Sequence, residues 1–326
     1  IIQRVQLYLK DIFRNDNVFC LKAFFQSIVS KVLKGNILVV GNLTHTGQHG
    51  LFYKAERISQ SDFLSLVFDA LNQLRLSIKN RQNKKIRAIM FKDYFKDDPI
   101  HKAKDIFESH RLYKVIVQPN MVMPVKPNWL KFEDYKASLN KKYRDRYKRA
   151  RKKLGDVKAR ELGLEAIKQN NKALHGLYLN VSNNAKFNTF LLPENHFFSL
   201  KQQLGDNFKV FGYYLKDELI GFYSLILNNG SLETYFLGYN TIYQYPNQLY
   251  LNMLYDMAKF AIENKLNEVV YARTAMAIKS SVGAKAIPMV IYMKHTNKYF
   301  NAFLKPLFDL MNPTQQWEAR HPFINN

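Results

Sequence analysis

Apolar residues from 19 to 34 recur three and four apart, the spacing of one helical face, and Gly35-Asn36 stops that pattern before a β-branched run, Ile37 to Val40. A glycine-dotted turn follows from Gly41 to Gly50. Ser59 or Ser61 is placed to cap a helix predicted over Asp62 to Ile78, and Lys85 to Phe91 reads as the next strand. The later half repeats the order strand, loop, helix, strand. Leu232 to Gly238 alternates as a strand, Tyr239 to Asn247 is a loop, Gln248 to Asn264 is a strongly apolar helix, and Glu268 to Ala272 is a strand leading to Ile278-Lys279. Gly41 with its loop parallels Gly238 with its loop, and Phe91-Lys92 parallels Ile278-Lys279, the pattern expected of a divergent duplication.

Between the halves, Pro119, Pro124 and Pro127 punctuate a connector that the fixed proline φ keeps from being helical. Phe132-Glu133-Asp134 then opens a helix that Gly155-Asp156 ends. Val157 to Glu161 is a strand candidate, and Glu165 to Val181 a further helix. Phe208 to Leu215 and Leu219 to Leu227, joined by Lys216-Asp217-Glu218, read as a hairpin. This organisation predicts an α/β (α+β) chain with one module over residues 1–128 and a second over 129–326, the second opening with the basic helix.

Charge changes the picture at one place. In Lys141 to Lys153 nine of thirteen residues are basic and only Asp145 is acidic. The whole chain carries 49 Lys and Arg against 26 Asp and Glu, a net charge of +23, so an anionic partner is expected: nucleic acid, a phosphate-rich carrier or an anionic membrane surface. With 326 residues, 47% of them hydrophobic, the chain is long enough to bury two cores. Its single cysteine, Cys20, excludes an intramolecular disulfide framework and fits a reducing compartment. Val210 to Leu227 is interrupted by Lys216-Asp217-Glu218, and no apolar run reaches the roughly eighteen residues of a membrane span. The sequence starts at Ile1 inside a segment that reads as structured, so a natural start upstream is expected.

The helix with Leu139-Asn140-Lys141-Lys142-Tyr143-Arg144, the hairpin ending in Gly221-Phe222, the strand ending in Gly238-Tyr239, the helix with Leu249-Tyr250, then Arg273-Thr274-Ala275 and Lys279 to Ala284 together resemble the GNAT superfamily of acyltransferases. More narrowly they are similar to its Fem-like branch, which carries two GNAT-like modules in tandem. The resemblance covers residues 130 to 300 by motif and the first 120 by pattern. It implies two modules, each a mixed twisted sheet flanked by helices with splayed central strands. The implied activity is transfer of an acyl or aminoacyl group from a phosphate-containing carrier to an amine of a cell-envelope precursor. No tightly bound cofactor is implied; acyl-CoA, acyl carrier protein or aminoacyl-tRNA would be the donor substrate. The implied location is cytoplasmic or peripheral at the inner membrane face. Acetyl-CoA enzymes of the superfamily cradle pyrophosphate on a glycine-rich loop, whereas Tyr239 to Gln248 has no glycine and holds Pro246, Tyr239, Tyr243 and Tyr245. In the Fem-like branch a lysine near the position of Lys279 helps bind phosphate.

Candidate chemistry follows. Acyl transfer to an amine needs a base, an oxyanion partner and an acid. Glu233, a carboxylate on a central strand, is the candidate base, against the ordinary role of an exposed strand glutamate. Tyr239, with Tyr235, is the candidate acid, against a packed tyrosine. Arg273, Lys279 and Gly283 are candidates to hold donor phosphates or a developing oxyanion, against two loop cations and a turn glycine. Tyr143, Arg144, Tyr147 and Arg151 are candidates to bind anion or substrate, the tyrosines by stacking, against a solvated helix face with inward tyrosines. His45 and His49 lie in a glycine-rich loop without a carboxylate or cysteine at ligand spacing. A zinc site is therefore not expected, and His45 is a substrate-lining candidate. Trp317 and Arg320 to Phe323 are expected to dock the tail onto the fold. A second function stays open: a GNAT-shaped module without chemistry that binds nucleic acid or anionic membrane through its basic helix. No nucleophile elbow, Walker loop or dinucleotide fingerprint is present, which removes those enzyme classes.

Overall fold

A computed structural model describes residues 2–7, 34–47, 50–184, 190–311 and 317–324. Residues 19–33 of the helix expected over 19–34, Cys20 among them, and His49 lie outside them. The elements run β1 (Ile2–Leu7), β2 (Gly35–Val40), α1 (Gln60–Gln82), β3 (Ile86–Phe95), α2 (Lys104–Ser109), β4 (Tyr113–Pro124), α3 (Phe132–Ser138), α4 (Lys141–Leu154), β5 (Lys158–Glu161), α5 (Leu164–Gln169), α6 (Asn171–Asn184), α7 (His196–Leu204), β6 (Phe208–Leu215), β7 (Glu218–Asn228), β8 (Ser231–Tyr239), α8 (Thr241–Gln244), α9 (Leu249–Glu263), β9 (Glu268–Val270), α10 (Met276–Ser280), β10 (Lys285–His295) and α11 (Lys298–Met311).

They form two compact units, each with a mixed sheet flanked by helices. The first holds residues 1–119, 186–190 and 287–315, and the second 120–185, 191–286 and 316–326. The chain thus passes from the first unit to the second at 119/120, inside β4, and one of its returns to the first is at 286/287, inside β10. The return comes from β10, which pairs antiparallel with β3 from Met289↔Phe95 to His295↔Ala88. Prolines 119 and 124 lie in β4, so the expected connector is a strand up to Pro124. The helix expected over 165–181 is two helices that meet at Asn170.

In the first unit β1 is antiparallel to β2, β2 parallel to β3, and β3 antiparallel to β10. Ser59 caps α1 by accepting from the Asp62 N–H. The apolar face of α1, Leu64, Phe68, Leu71 and Ile78, is buried, and Phe68 meets Phe91 of β3 and Phe107 of α2 with ring centroids 5.2 and 6.0 Å apart.

In the second unit β4 is antiparallel to β9, β9 parallel to β8, and β8, β7, β6 and β5 follow antiparallel. Successive side chains of a strand point to opposite faces, and β7 shows both layers. Phe222 packs edge-on against Phe197 of α7, 5.0 Å away. Its neighbour Tyr223 stacks on Phe211, which meets Phe260 of α9 at 5.7 Å. Ten residues of α9 are buried, Leu249 and Leu251 among them, so this helix is held by its apolar surface. Gly238 of β8 is required by close approach: a Cβ there would lie 2.4 Å from the backbone of Leu177 and Tyr178 in α6.

β8 and β9 are bonded only over Ser231↔Glu268, Leu232↔Val269 and Glu233↔Val270. β8 continues to Tyr239, while Tyr271 N–H donates to the Met121 carbonyl and Met121 N–H to the Ala272 carbonyl. The two central strands therefore part after Glu233.

Candidate functional site

The described chemistry of the second unit gathers where these strands part and in a cleft at the N-terminus of α9. Two arcs of α4, set by 100° per residue, matter here. Tyr143, Tyr147, Ala150 and Leu154 face the core. Lys142, Arg146, Arg149 and Lys153, spaced four, three and four apart, line a cleft of about 660 Å³. Tyr143, Gln244, Tyr245, Gln248, Leu251, Ile278 and Arg320 complete its lining, so five cations and no carboxylate face the space. Arg320 pairs with Glu318 at 2.8 Å.

Two asparagines fix this geometry. Asn252 of α9 donates from its side-chain amide to the carbonyls of Ala150 (3.0 Å), Asn247 (3.1 Å) and Gln248 (3.1 Å). Asn247 donates to the Lys153 carbonyl at 3.2 Å. The C-terminal turns of α4 are thereby tied to the start of α9. A helix N-terminus carries partial positive charge, which adds to the five cations. The side-chain oxygen of Gln244 already accepts from the Tyr250 N–H at 2.9 Å, and the one-turn helix α8 lies in the segment expected to be a loop. Side chains rather than a backbone nest would hold a phosphate here.

Beyond β9 the chain is strained. Ala272, Thr274 and Ala275 have φ of 56°, 65° and 47°, the left-handed region that non-glycine residues rarely occupy. Lys279 folds back over this loop, and its Nζ donates to the carbonyls of Ala272 (3.3 Å) and Arg273 (2.6 Å). Burial pushes the Lys279 ammonium down to about 7 and the Arg273 guanidinium down to about 10. Ile278, next to Lys279 in the chain, is in the cleft wall.

The sequence candidates fall into three groups. Glu233 and Tyr239 belong to β8, Arg273 to the loop after β9, and Lys279 to α10, whose side chain folds back over that loop. Glu233 is buried at 6% exposure, at the last β8–β9 pair, rather than exposed at an edge. Tyr239 is half-buried, and burial, with Tyr245 nearby, raises its hydroxyl pKa. Of the basic-helix candidates, Tyr143 lines the cleft and Arg144 does not. Tyr147 packs between Phe132 and Tyr255 at 5.8 and 5.0 Å. Arg151 is paired with Asp256, which also accepts from the Tyr213 hydroxyl. Burial works against the Arg151 charge, but Asp256 more than offsets it and its pKa is raised. Tyr147 and Arg151 thus serve packing. Gly283 has φ 107°, and a Cβ there would lie 2.5 Å from the Phe323 ring; what approaches its backbone is the tail. That tail is docked by Asn140 N–H to the Pro322 carbonyl and Ile324 N–H to the Ser138 carbonyl, both 2.8 Å. His45 lies in the first unit, where its carbonyl accepts from Lys92 Nζ at 2.8 Å.

Lys142, Lys153, Gln244, Gln248 and Arg320 were not singled out by sequence as site residues. The four-three-four spacing of the α4 cations was the available signal. Among the described residues no cluster of His, Cys, Asp and Glu could hold a metal ion, and no helix is long and apolar enough to cross a membrane.

No protein-family model matches the sequence, and no curated protein matches it. Solved structures do match its shape. The crystal structure of FemX aligns with a TM-score of 0.53 at 11% identity over 83% of each chain. The C-terminal domain of an Agrobacterium fabrum protein described as a lysylphosphatidylglycerol synthetase aligns with a TM-score of 0.50 at 9% identity, over 85% of this chain and 82% of that one. A tandem GNAT protein from the clavulanic acid biosynthesis pathway aligns with a TM-score of 0.48 at 8% identity, over 80% and 75%. With a mixed sheet flanked by helices in each of its two units and central strands that part, this chain has the fold of FemX.

Proposed function

We propose that this protein is an N-acyltransferase that moves an acyl or aminoacyl group from a phosphate-bearing carrier to an amine of a cell-envelope precursor. The observation that carries the reading is the parting of β8 and β9 beside Arg273 and Lys279, in the same unit as a cleft lined by five cations. Such a cleft suits the phosphates of a charged tRNA, an acyl-CoA or an acyl carrier protein. With no glycine from Tyr239 to Gln248, the phosphates would rest on Lys142, Arg146, Arg149 and Lys153.

The acceptor amine attacks the carbonyl carbon directly. A C–N bond forms, the carbonyl oxygen becomes an oxyanion, and the C–O or C–S bond to the carrier breaks as the carbonyl re-forms. Glu233 takes the amine proton, Tyr239 protonates the leaving group, and Arg273 with Lys279 stabilises the negative charge. A protein working this way sits in the cytoplasm or at the inner membrane face, where such carriers and precursors meet.

One feature favours a second reading, a module that binds without chemistry: Gln244 occupies a backbone N–H in the first turn of α9. One experiment separates the two. Charged tRNA, acyl-CoA and acyl carrier protein are each incubated with the protein and amine-bearing envelope precursors, and N-acylated product is sought by mass spectrometry. Transfer by the wild type that is lost in Lys279→Ala and Arg273→Ala, with carrier binding retained, supports the enzyme. Carrier binding that depends on Arg146 and Arg149, without product from any donor, supports the binding module.

A further inference from the structure

We propose that the face built by α4 and α8 docks onto an anionic lipid bilayer. Ile242 is 73% exposed and Tyr245 82% exposed. They are three residues apart, on α8 and its C-terminal cap, so their side chains are neighbours on one side of that turn. Single exposed apolar residues are ordinary on protein surfaces. This pair differs in what lies beside it, because Tyr245 lines the same cleft as Lys142, Arg146, Arg149 and Lys153.

An aliphatic tip, a tyrosine at headgroup depth and a row of cations make up an interfacial anchor: the tip enters the acyl boundary, the phenol stays at the polar layer, and the cations meet lipid phosphates. The carboxylate beside this segment, Glu218, accepts from the Tyr243 hydroxyl at 3.2 Å, and no carboxylate lines the cleft. An RNA would engage the cations and could stack on Tyr245, but its charged backbone offers nothing to a 73% exposed isoleucine. Ile242 therefore selects lipid over nucleic acid. Docking is independent of the transfer reading and is observed with no donor present; where both hold, the cleft opens onto the headgroup layer.

The test is co-sedimentation with vesicles of phosphatidylcholine, with and without phosphatidylglycerol, together with the tryptophan emission of I242W and its quenching by brominated lipid. The wild type is expected to bind only the phosphatidylglycerol vesicles, and more weakly as salt rises. Each cation near the surface contributes about fivefold in partitioning, so R149E/K153E should lower binding by about 25-fold or more. I242S/Y245S should lower it while leaving the salt dependence in place, and the I242W emission should shift to the blue and be quenched. All these positions are at least partly solvent-facing, so the variants are expected to fold; far-UV circular dichroism checks this. Absence of binding to phosphatidylglycerol vesicles overturns the proposal. So does binding unchanged in I242S/Y245S without an I242W shift, or RNA that displaces the vesicles and binds I242S/Y245S as tightly as the wild type.

Discussion

The ammonium nitrogen of Lys279 lies 2.6 Å from the carbonyl oxygen of Arg273, inside a protein that leaves the lysine 5% exposed. Burial places its folded pKa at about 7 against 10.5 for an ordinary lysine. Above the ordinary value the group is neutral in both states. Between the two values the unfolded chain holds the extra proton, so stability rises with pH across that window; below about 7 both states are charged and the penalty is constant. Lys279→Met removes this linkage. The difference in unfolding free energy between wild type and variant should move toward the wild type by about 2 to 3 kcal/mol from pH 7 to pH 9, read by urea denaturation. A difference that stays flat with pH contradicts a desolvated Lys279.

Arg149 and Arg151 are two residues apart and face different neighbours. Arg149 lines the cleft, whereas Arg151 pairs with Asp256 and lies 5.3 Å over the Tyr147 ring. Arg149→Ala should change stability by no more than about 0.5 kcal/mol and weaken pyrophosphate binding roughly tenfold, the value of one hydrogen bond to a charged group. Arg151→Ala leaves Asp256 with the Tyr213 hydroxyl alone and should cost about 2 to 4 kcal/mol of stability. Calorimetric titration with pyrophosphate and chemical denaturation on the same two variants check the pair; equal effects on both readouts would refute the division of the helix.

Gly283 and Phe323 hold the tail by contact that admits no side chain. A Cβ at Gly283 meets Phe323 at 2.5 Å and adopts φ 107°. Gly283→Ala therefore carries a steric and a backbone penalty, together about 2 to 4 kcal/mol. In a Phe323→Ala background, which itself loses the ring's packing, the further penalty of Gly283→Ala should shrink by less than half, because the backbone part remains. Thermal denaturation gives the sum, and limited proteolysis near Arg320 should quicken as the tail leaves Trp129 and Tyr135, whose rings are 5.2 and 5.8 Å from Phe323.

What could be read from sequence was local. Ser59, one of the two expected caps, caps the first described helix, and the Lys216-Asp217-Glu218 turn joins two paired strands with Leu215 opposite Glu218. Non-local pairings were out of reach: the return of residues 289–295 to β3 leaves no signature in either segment, because each is an ordinary apolar strand. Prolines 119 and 124 misled for a physical reason. Proline lacks a donor but not an extended φ, and the β4–β9 register begins at Val122 and finishes on Pro124, at a strand end. In the basic helix the tyrosine spacing was visible, but its meaning was not. Tyr143 and Tyr147 face the core because α9 presents Tyr255 and Leu251 there, and only that packing decides which flank of cations borders a cleft. The buried state of Lys279 depends on a left-handed loop that its own sequence, Ala272 to Ala275, does not announce, since it contains no glycine.

Asn252 is fully buried, and its amide reaches the carbonyls of Ala150 in α4 and of Asn247 and Gln248 before α9. Asn252→Ala leaves the Ala150 and Asn247 carbonyls without this donor and opens a small void, at a cost of about 1 to 3 kcal/mol. Asn252 is absent from the cleft lining, so any effect on a phosphate ligand must pass through the spacing of α4 and α9. Pyrophosphate binding should weaken severalfold in Asn252→Ala, and Asn252→Asp, which offers only acceptors to these carbonyls, should be worse on both counts. Asn252→Gln, with a longer arm to the same donor, should fall between wild type and Asn252→Ala in stability. If affinity for pyrophosphate is unchanged while stability drops as stated, the asparagine braces the core without setting the cleft, and the cations of α4 find their positions from the helix alone.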